Sequence, residues 1–203
     1  MQAREHQFLY VNPEKCVGCS LCEYACSLKK TDEFNPLKSR IRVVRIHPLV
    51  NIALTCKMCD NPPCVDNCPR KALFQSAETG VIHSEKERCD GCGWCIEACP
   101  YGAIQYDGDI GNATVCDLCD GKPECMDICP FEAIEFSASD EHINAQWTQA
   151  RKSWTEESKK FIRMTQGEKI DVFDSYNENM EKIDAKLKIL YEKKAQSNKS
   201  KEH

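Results

Sequence analysis

Four closely spaced runs of cysteine constrain this chain more than any other feature of its sequence. The runs contain all 16 cysteines among its 203 residues. Three of the four runs end in Cys-Pro. The third run along the chain, Cys89 to Cys99, has the spacing Cys-x2-Cys-x2-Cys-x3-Cys-Pro. The fold must therefore be built around whatever these sulfurs bind. In order, the cysteines are Cys16, Cys19, Cys22, Cys26, Cys56, Cys59, Cys64, Cys68, Cys89, Cys92, Cys95, Cys99, Cys116, Cys119, Cys125 and Cys129.

The start of the chain argues against a secreted disulfide scaffold, which is one reading of so many cysteines. Residues 1–8 have no apolar run and no cleavage site, so we expect no signal peptide. Thiols in the cytoplasm are mostly reduced, and cysteine patterns there more often bind metal. We therefore expect a cytoplasmic protein whose cysteines are metal ligands.

The spacing within the runs favours iron–sulfur clusters over zinc. The x2, x2, x3 spacing followed by Pro is the bacterial ferredoxin run, in which the fourth cysteine binds the cluster of a second run. Zinc sites more often use Cys-x2-Cys pairs separated by longer gaps. Sixteen thiolates predict four [4Fe–4S] clusters in two two-cluster modules, with zinc and disulfides as the alternatives.

Short strands are predicted around the runs. Residues 8–11 favour an opening strand, residues 40–46 a strand in the insert 27–55, and residues 72–83 a hairpin. After each Cys-Pro the chain repeats a Pro-x-x-Ala-(Leu/Ile) segment, which predicts one more short strand per repeat. The first run differs, because Ser27 follows its fourth cysteine in place of Pro.

Several charged or aromatic residues lie within or beside the runs. They are candidates for tuning cluster potentials, and ordinary packing or solvation is the alternative for each. Arg40, Arg42 and Arg45 of the insert can face a cofactor, a partner or solvent. The arginines lie apart from the runs, and the candidates for tuning are Lys57, Arg70, Lys71, Trp94 and Tyr101.

Residues 138–203 lack both cysteine and proline and are predicted to be helical. Ser139 and Asp140 favour a helix start, and Gly167 favours a break. One face of the first helix carries Trp147, Ala150, Trp154, Phe161 and Ile162. The second helix has a heptad seam, for which we expect docking to a partner or self-association, with packing on its own domain as the alternative. The seam consists of Phe173, Tyr176, Met180, Ile183, Leu187 and Leu190.

The predicted fold class is α+β, with two bacterial-ferredoxin-like two-cluster modules in tandem and a long helical extension. The predicted domains are residues 1–137 and 138–203. The first carries 14 Lys+Arg against 20 Asp+Glu, so a nucleic-acid partner is not expected. No apolar stretch is long enough to predict a membrane span. No catalytic triad, phosphate loop or paired-carboxylate cleft is evident, which favours a non-catalytic electron-transfer protein.

The arrangement of the four runs, with an x4 gap in the second and an x5 gap in the fourth, resembles four-cluster ferredoxin-like electron-transfer subunits. Such subunits accompany molybdenum- or tungsten-pterin oxidoreductases, and related forms serve hydrogenases, formate dehydrogenases and carbon monoxide dehydrogenases. The resemblance covers about residues 8–136. It implies a catalytic Mo/W-pterin partner and a second redox partner, a flavoprotein or a ferredoxin.

The resemblance also implies how the cysteines share the clusters, because the first and fourth runs form one module in that family, and the second and third the other. We name the four implied ligand sets A to D. Set A is Cys16, Cys19, Cys22 and Cys129; set B is Cys116, Cys119, Cys125 and Cys26; set C is Cys56, Cys59, Cys64 and Cys99; set D is Cys89, Cys92, Cys95 and Cys68.

Residues 115–125 look most like the small subunits of tungsten-containing aldehyde oxidoreductases. Some subunits of this type polymerise through a C-terminal helix, which implies self-association into a filament through the seam. Two other functions remain open on the sequence: a free multi-cluster ferredoxin, and a structural or assembly protein that uses clusters to fold.

Overall fold

The computed structural model describes residues 6–46, 50–167 and 173–201. It mixes short strands with helices. The strands are β1 Phe8–Val11, β2 Arg42–Ile46, β3 Val50–Leu54, β4 Leu73–Gln75, β5 Ile82–Ser84, β6 Gln105–Asp107, β7 Asn112–Thr114 and β8 Ile134–Ser137. The helices are α1 Leu21–Thr31, α2 Pro63–Asp66, α3 Trp94–Ala98, α4 Glu124–Asp127, α5 Asp140–Thr165 and α6 Phe173–Lys201.

The described strands form antiparallel pairs. Strand β1 pairs with β8, so that Phe8 lies opposite Ser137. The other pairs are the hairpins β2–β3, β4–β5 and β6–β7. The predicted opening strand, the predicted hairpin and the strand of the insert are all present. A strand also follows each Cys-Pro repeat, as predicted: β4, β6 and β8.

The helices of the cysteine-rich region differ in length because of one residue. Helices α2, α3 and α4 each have only four or five residues and end before a Cys-Pro pair. Proline cannot continue a helix. Helix α1 has 11 residues because Ser27 replaces that proline, and it therefore runs past Cys26. Helix α1 packs against α4, and α2 packs against α3, so the two modules are built alike.

The core combines apolar side chains with sulfur. All four residues of β1 are buried, and they lie in one cluster with cysteines from every run. Ligation of these sulfurs would add folding free energy to that of apolar burial. The cysteines thus occupy the positions where an ordinary domain would place its largest apolar residues.

Helix α5 begins as predicted, since the Ser139 Oγ accepts a hydrogen bond of 3.2 Å from the Glu141 N–H. Gly167 follows its end with a φ of +89°, in the region that favours glycine. The side chain of Ile162 is 53% exposed. The other predicted members of that helix face lie outside the described side chains: Trp147, Ala150, Trp154 and Phe161.

Candidate iron–sulfur centres

The first and fourth runs enclose two cavities. The four cysteines of set A line one of about 360 Å³, together with Gly18 and Ala133. The four cysteines of set B line another of about 310 Å³, together with Lys30, Arg40 and Asp117. Each cavity therefore receives three sulfurs from one run and the fourth from the other run, which is the sharing that the family resemblance implies.

The second and third runs repeat this arrangement. The four cysteines of set D line a cavity of about 390 Å³, along with Arg70 and Tyr106. In set C, the sulfur of Cys64 lies within electrostatic reach of Cys59 and Cys99, and that of Cys56 within reach of Cys59 and Cys64. The structure therefore brings together the four members of every set.

The sulfurs are spread around spaces and do not converge on a point. Among residues 6–46, 50–167 and 173–201, no three His, Cys, Asp or Glu side chains are grouped closely enough to hold one metal ion. A single Zn²⁺ needs its four ligands about 2.0–2.3 Å from one ion. The lined cavities fit the donor set of a cluster, in which each thiolate binds a different iron atom.

The same backbone turn occurs in all four runs. The residue before the second cysteine has a positive φ in each run: Gly18 at 69°, Met58 at 43°, Gly91 at 71° and Leu118 at 58°. Only two of the four are glycine, so Met58 and Leu118 adopt a conformation that L side chains disfavour by about 1–2 kcal/mol. Both of these side chains are buried in the core, and their packing offsets this strain.

The last cysteine of every run accepts a hydrogen bond from a backbone N–H. Three of the donors are alanines of the Cys-Pro-x-x-Ala repeat: Ala72 to the Cys68 Sγ at 3.2 Å, and Ala103 and Ala133 to Cys99 and Cys129 at 3.4 Å. Such donors stabilise thiolate charge. The residue before each alanine has a positive φ, which turns its N–H back toward the sulfur: Lys71, Gly102 and Glu132.

Cys26 obtains its donor differently. Because helix α1 continues through Ser27, no turn follows Cys26, and the N–H of Arg40 donates to its Sγ at 3.2 Å from 14 residues away. The insert therefore supplies what the missing Pro-x-x-Ala segment supplies in the other runs. Sequence spacing gives no sign of this contact.

Burial sets the ionisation of the thiols when nothing is bound to them. It raises the pKa of Cys16 from 9.0 to about 11 and that of Cys64 to about 12, and charges on neighbouring cysteines add to both shifts. Cys68 differs: burial raises its pKa, but N–H groups of residues 70–73 outweigh this effect and lower it overall. Thiols so crowded and buried favour a bound group that carries positive charge.

Neighbouring sets come near each other at particular cysteines. Cys22 of set A lies within electrostatic reach of Cys125 of set B. Cys56 of set C lies within reach of Cys116 of set B. Sets C and D share the packed pair α2 and α3. These proximities link the four sets in the order A, B, C, D.

The candidate tuning residues have different surroundings. Lys57 is buried, and its Nζ donates to the Leu9 carbonyl at 3.0 Å and to Gln146 Oε1 at 3.3 Å. Arg70 lines the set D cavity. Trp94 is 59% exposed, beside the exposed Cys92. Of the other two, Lys71 is exposed at the turn described above, and Tyr101 packs half-buried against the core.

Sequence reasoning missed Lys30 and Asp117. The Nζ of Lys30 lies 2.8 Å from Asp117 Oδ2, which also accepts a hydrogen bond of 2.5 Å from Arg40 Nη1. The Asp117 Oδ1 accepts from the Cys119 N–H at 3.1 Å. Asp117 lies inside the fourth run, so its position was visible, but its partners come from distant elements.

The heptad seam of α6 lies in part against the chain's own domain. Leu190 is 1% exposed and packs with Leu21 and Ala25 of α1, and Ile183 and Leu187 contact the same cluster. Lys194 and Ser197 of α6 also hydrogen-bond to Asp32. For Ile183, Leu187 and Leu190 the structure thus favours the alternative of packing on the chain's own domain. Met180 is half-buried, whereas the side chains of Phe173 and Tyr176 lie outside the described part.

No described helix is both long and apolar enough to cross a membrane.

Comparison with protein families identifies a 4Fe–4S dicluster domain at residues 49–139 and a 4Fe–4S binding domain at residues 9–27. These two matches include all four runs.

Relatives among curated proteins include subunits of oxidoreductases and electron transport proteins. The polyferredoxin-like subunit of aliphatic sulfonate oxidoreductase from Pyrococcus furiosus is 39% identical over 117 residues, which cover 58% of this chain and 68% of the relative. The electron transport protein HydN of Escherichia coli is 38% identical over 106 residues, covering 49% of this chain and 59% of HydN. A tetrathionate reductase subunit of Salmonella typhimurium is 29% identical over 120 residues, covering 56% of this chain and 48% of the relative. The matched segments thus span about half to two thirds of these relatives.

Proposed function

From the premise that this chain belongs to the family of 4Fe–4S dicluster ferredoxin-like proteins, which includes polyferredoxin-like subunits of oxidoreductases, we propose that it relays electrons through four [4Fe–4S] clusters held by sets A to D. When bound, each cluster would accept and return one electron. The chain's own residues bury seven of the sixteen cysteines and donate backbone hydrogen bonds to the last sulfur of each run, and the proposed sites follow one another in a row.

The observation that carries this proposal is the order of the sets. Neighbouring sets lie within electrostatic reach of each other or share packed helices from A through to D. A protein that used clusters only to fold would need no continuous path between them. The proposed role is non-catalytic, with chemistry left to a partner.

We propose that a second redox partner, a flavoprotein or a ferredoxin, docks beside set D. Cys92 is exposed there, and Trp94 and Tyr106 present aromatic surface at 59% and 47% exposure. The ring of Tyr106 lies against Gly91, where an added Cβ would come within 3.1 Å of it. Exposed aromatic side chains next to a cluster ligand suit close approach of a partner.

The finer proposal is that the catalytic partner is a Mo/W-pterin oxidoreductase, including the tungsten aldehyde oxidoreductases that residues 115–125 resemble. Self-association into a conducting filament remains part of this proposal. It would have to use Phe173, Tyr176, Met180 and exposed positions of α6, since the rest of the seam packs on α1.

Metal analysis and native mass measurement test the proposal. We expect anaerobically purified protein to contain about sixteen irons and as many acid-labile sulfides per chain, four for each cluster. Purification with native partners should retain a large subunit that contains molybdenum or tungsten. A colourless, zinc-loaded chain without sulfide would overturn the electron-transfer function itself.

A free multi-cluster ferredoxin is the second candidate. Packing of α6 on α1 favours it, because a seam buried within the same chain does not require a permanent partner. It predicts a monomer with full iron content that exchanges electrons with several reductases. Reversible reduction of the clusters separates both candidates from a purely structural role.

A further inference from the structure

Strand β2 and the residues just before it carry three arginines, and they reach different places. The guanidinium of Arg45 donates to the Gly18 carbonyl at 2.6 Å and to Ser20 Oγ at 2.7 Å. These two residues flank Cys19 of set A. The charge of Arg45 opposes the effect of burial, which raises the pKa of both Cys16 and Cys19. Arg45 is therefore the cation of this segment that belongs to set A.

Arg40 reaches set B. Its backbone N–H bonds to the Cys26 Sγ, and its side chain lines the set B cavity with Lys30. Both cations share one carboxylate, Asp117, so this group of three has a net positive charge. Glu124 also lines the cavity, but its carboxylate pairs with Lys193 of α6 at 2.5 Å.

Arg42 lies between them in sequence and contacts neither set. Its guanidinium donates to the carbonyls of Pro36 and Leu37 at 3.0 and 3.2 Å. Neither carbonyl belongs to a residue that lines the cavities of sets A, B and D. The segment thus provides its own control residue, with the same charge but no contact with a cysteine loop.

One negative group faces set A from another element. Glu23 of α1 is buried next to Cys22, and its Oε1 accepts a hydrogen bond of 3.0 Å from the Val43 N–H. Its charge opposes that of Arg45 but is not altered by changes at residue 45. Of these two charges, that of Arg45 is the one that can be changed by substitution without disturbing the core. Arg45 is exposed, and its guanidinium bonds only to the loop that carries Cys19.

We infer that the insert 27–55 sets the potentials of two clusters separately: Arg45 raises that of the cluster in set A, and Arg40 raises that of the cluster in set B. This inference rests on the proposed cluster ligation. Adding an electron to a cluster adds negative charge, and a fixed cation nearby stabilises the reduced form. Neither arginine is a proposed cluster ligand, and each acts on its cluster through the electric field of its charge.

A redox titration followed by electron paramagnetic resonance tests this on the full-length protein. We expect Arg40→Gln to lower one of the four midpoint potentials by about 59 mV, which is a tenfold change in the equilibrium constant for one electron. Arg45→Gln should lower a different midpoint by a smaller amount, about threefold in the equilibrium constant, because its side chain is exposed and screened. Arg42→Gln should lower none of them.

Further variants separate charge from structure. Arg45→Lys and Arg40→Lys keep the charge and should restore most of each shift, and the double Gln variant should show both shifts. Iron and sulfide content, measured on every variant, establishes that four clusters are present. A variant that loses iron is replaced by its Lys and Met counterparts, which keep most of the packing of the side chain.

The outcomes distinguish this inference from the proposed function. A wild-type protein without four reversible centres would end the proposed function. Three results with four reversible centres present would overturn only the tuning role. The potentials could be unchanged by the substitutions of Arg40 and Arg45, they could shift together, or they could respond equally to Arg42→Gln. Two separate shifts, each restored by lysine, would establish it.

Discussion

At the scale of single residues, turns with positive φ place the sulfurs and their hydrogen-bond donors. Lys71, Gly102 and Glu132 all turn the chain so that the next alanine N–H faces a cysteine. Glycine occupies only one of these three equivalent positions. The turn is therefore required by the contact with sulfur, even where the residue type resists it.

Gly102→Ala isolates the cost of this turn. Gly102 has a φ of +59°, and apart from its own chain neighbours no atom lies within 4 Å of where its Cβ would be. We expect the substitution to lower the free energy of unfolding by about 1–2 kcal/mol through backbone strain alone. Denaturant unfolding of the cluster-loaded protein under anaerobic conditions measures this change.

Gly108→Ala is the matched control, because its surroundings are equally open and its φ is not in the left-handed range. It should leave stability within about 0.5 kcal/mol of the wild type or raise it slightly. Equal losses at the two positions would contradict the role of the turn.

Retention of iron should depend on pH. Burial raises the pKa of Cys16 to about 11 and of Cys64 to about 12, so the free thiols hold their protons at neutral pH. Thiolate ligation must displace those protons, and its apparent affinity rises with pH up to these values. The stability of the cluster-free fold depends on pH in the opposite direction. Any stability that the protonated thiols give that fold is present below about pH 9 and is lost as pH rises through about 11.

Iron release to a chelator, followed anaerobically at pH 6, 7.5 and 9, checks this expectation. Release should be fastest and most complete at pH 6. Release that accelerates toward pH 9 would contradict a proton-coupled loss of ligands.

Residue spacing predicted the sixteen candidate ligands, but their surroundings depended on contacts between distant elements. The Cys-x2-Cys-x2-Cys spacing is local, so it can be read from the chain directly. The donor to Cys26 comes from Arg40, and the carboxylate that Lys30 and Arg40 share comes from Asp117 in the fourth run. Nothing in a local pattern links these three segments.

At the scale of elements, Cys-Pro pairs decide where helices end. The sequence predicted strands β1, β4 and β8 correctly, because their apolar residues follow or precede recognisable turns. It gave no indication of helix α1. The missing proline at residue 27 was visible as an irregularity, but its consequence, a helix that continues to Thr31, was not inferred.

Helix α6 covers α1, and Leu190 is the buried centre of that contact. We expect Leu190→Ala to lower the free energy of unfolding by about 2–4 kcal/mol, because it leaves a cavity among Leu21, Ala25 and Ile128. Thermal unfolding of the cluster-loaded protein, with iron content as a second measurement, quantifies the loss.

Ile189→Ala is the control on the same turn of α6, since Ile189 is 40% exposed. It should cost under about 1 kcal/mol. If Ile189→Ala were the more damaging change, or if Leu190→Ala altered assembly size but not stability, then the helix would dock on another molecule and not on α1.

At the scale of the whole molecule, the order A, B, C, D makes set C a necessary link. The double variant Cys59→Ala, Cys64→Ala should lose one cluster, keep the other three and block transfer between the two ends. Stopped-flow reduction by a carrier protein, with the rates of the separate clusters resolved, measures this. Rapid reduction of all three remaining clusters would contradict a single linear path.

The removal of set C has a control at the end of the path. Cys92→Ala alters only set D, whose sulfur at this position is exposed. It should slow entry of electrons from the carrier, but it should leave exchange among sets A, B and C unchanged. The two variants together distinguish a path with one entry from a group of independent centres.

The pairing of β1 with β8 has a consequence for biosynthesis. Set D is complete once Cys95 has been made and set C once Cys99 has been made, whereas set A waits for Cys129 and strand β1 waits for Ile134–Ser137. The first cysteines to leave the ribosome are thus among the last to find their partners. On the proposed ligation, the middle of a nascent chain can bind its clusters before the beginning can, and the early thiols stay without their cluster until translation has passed the fourth run.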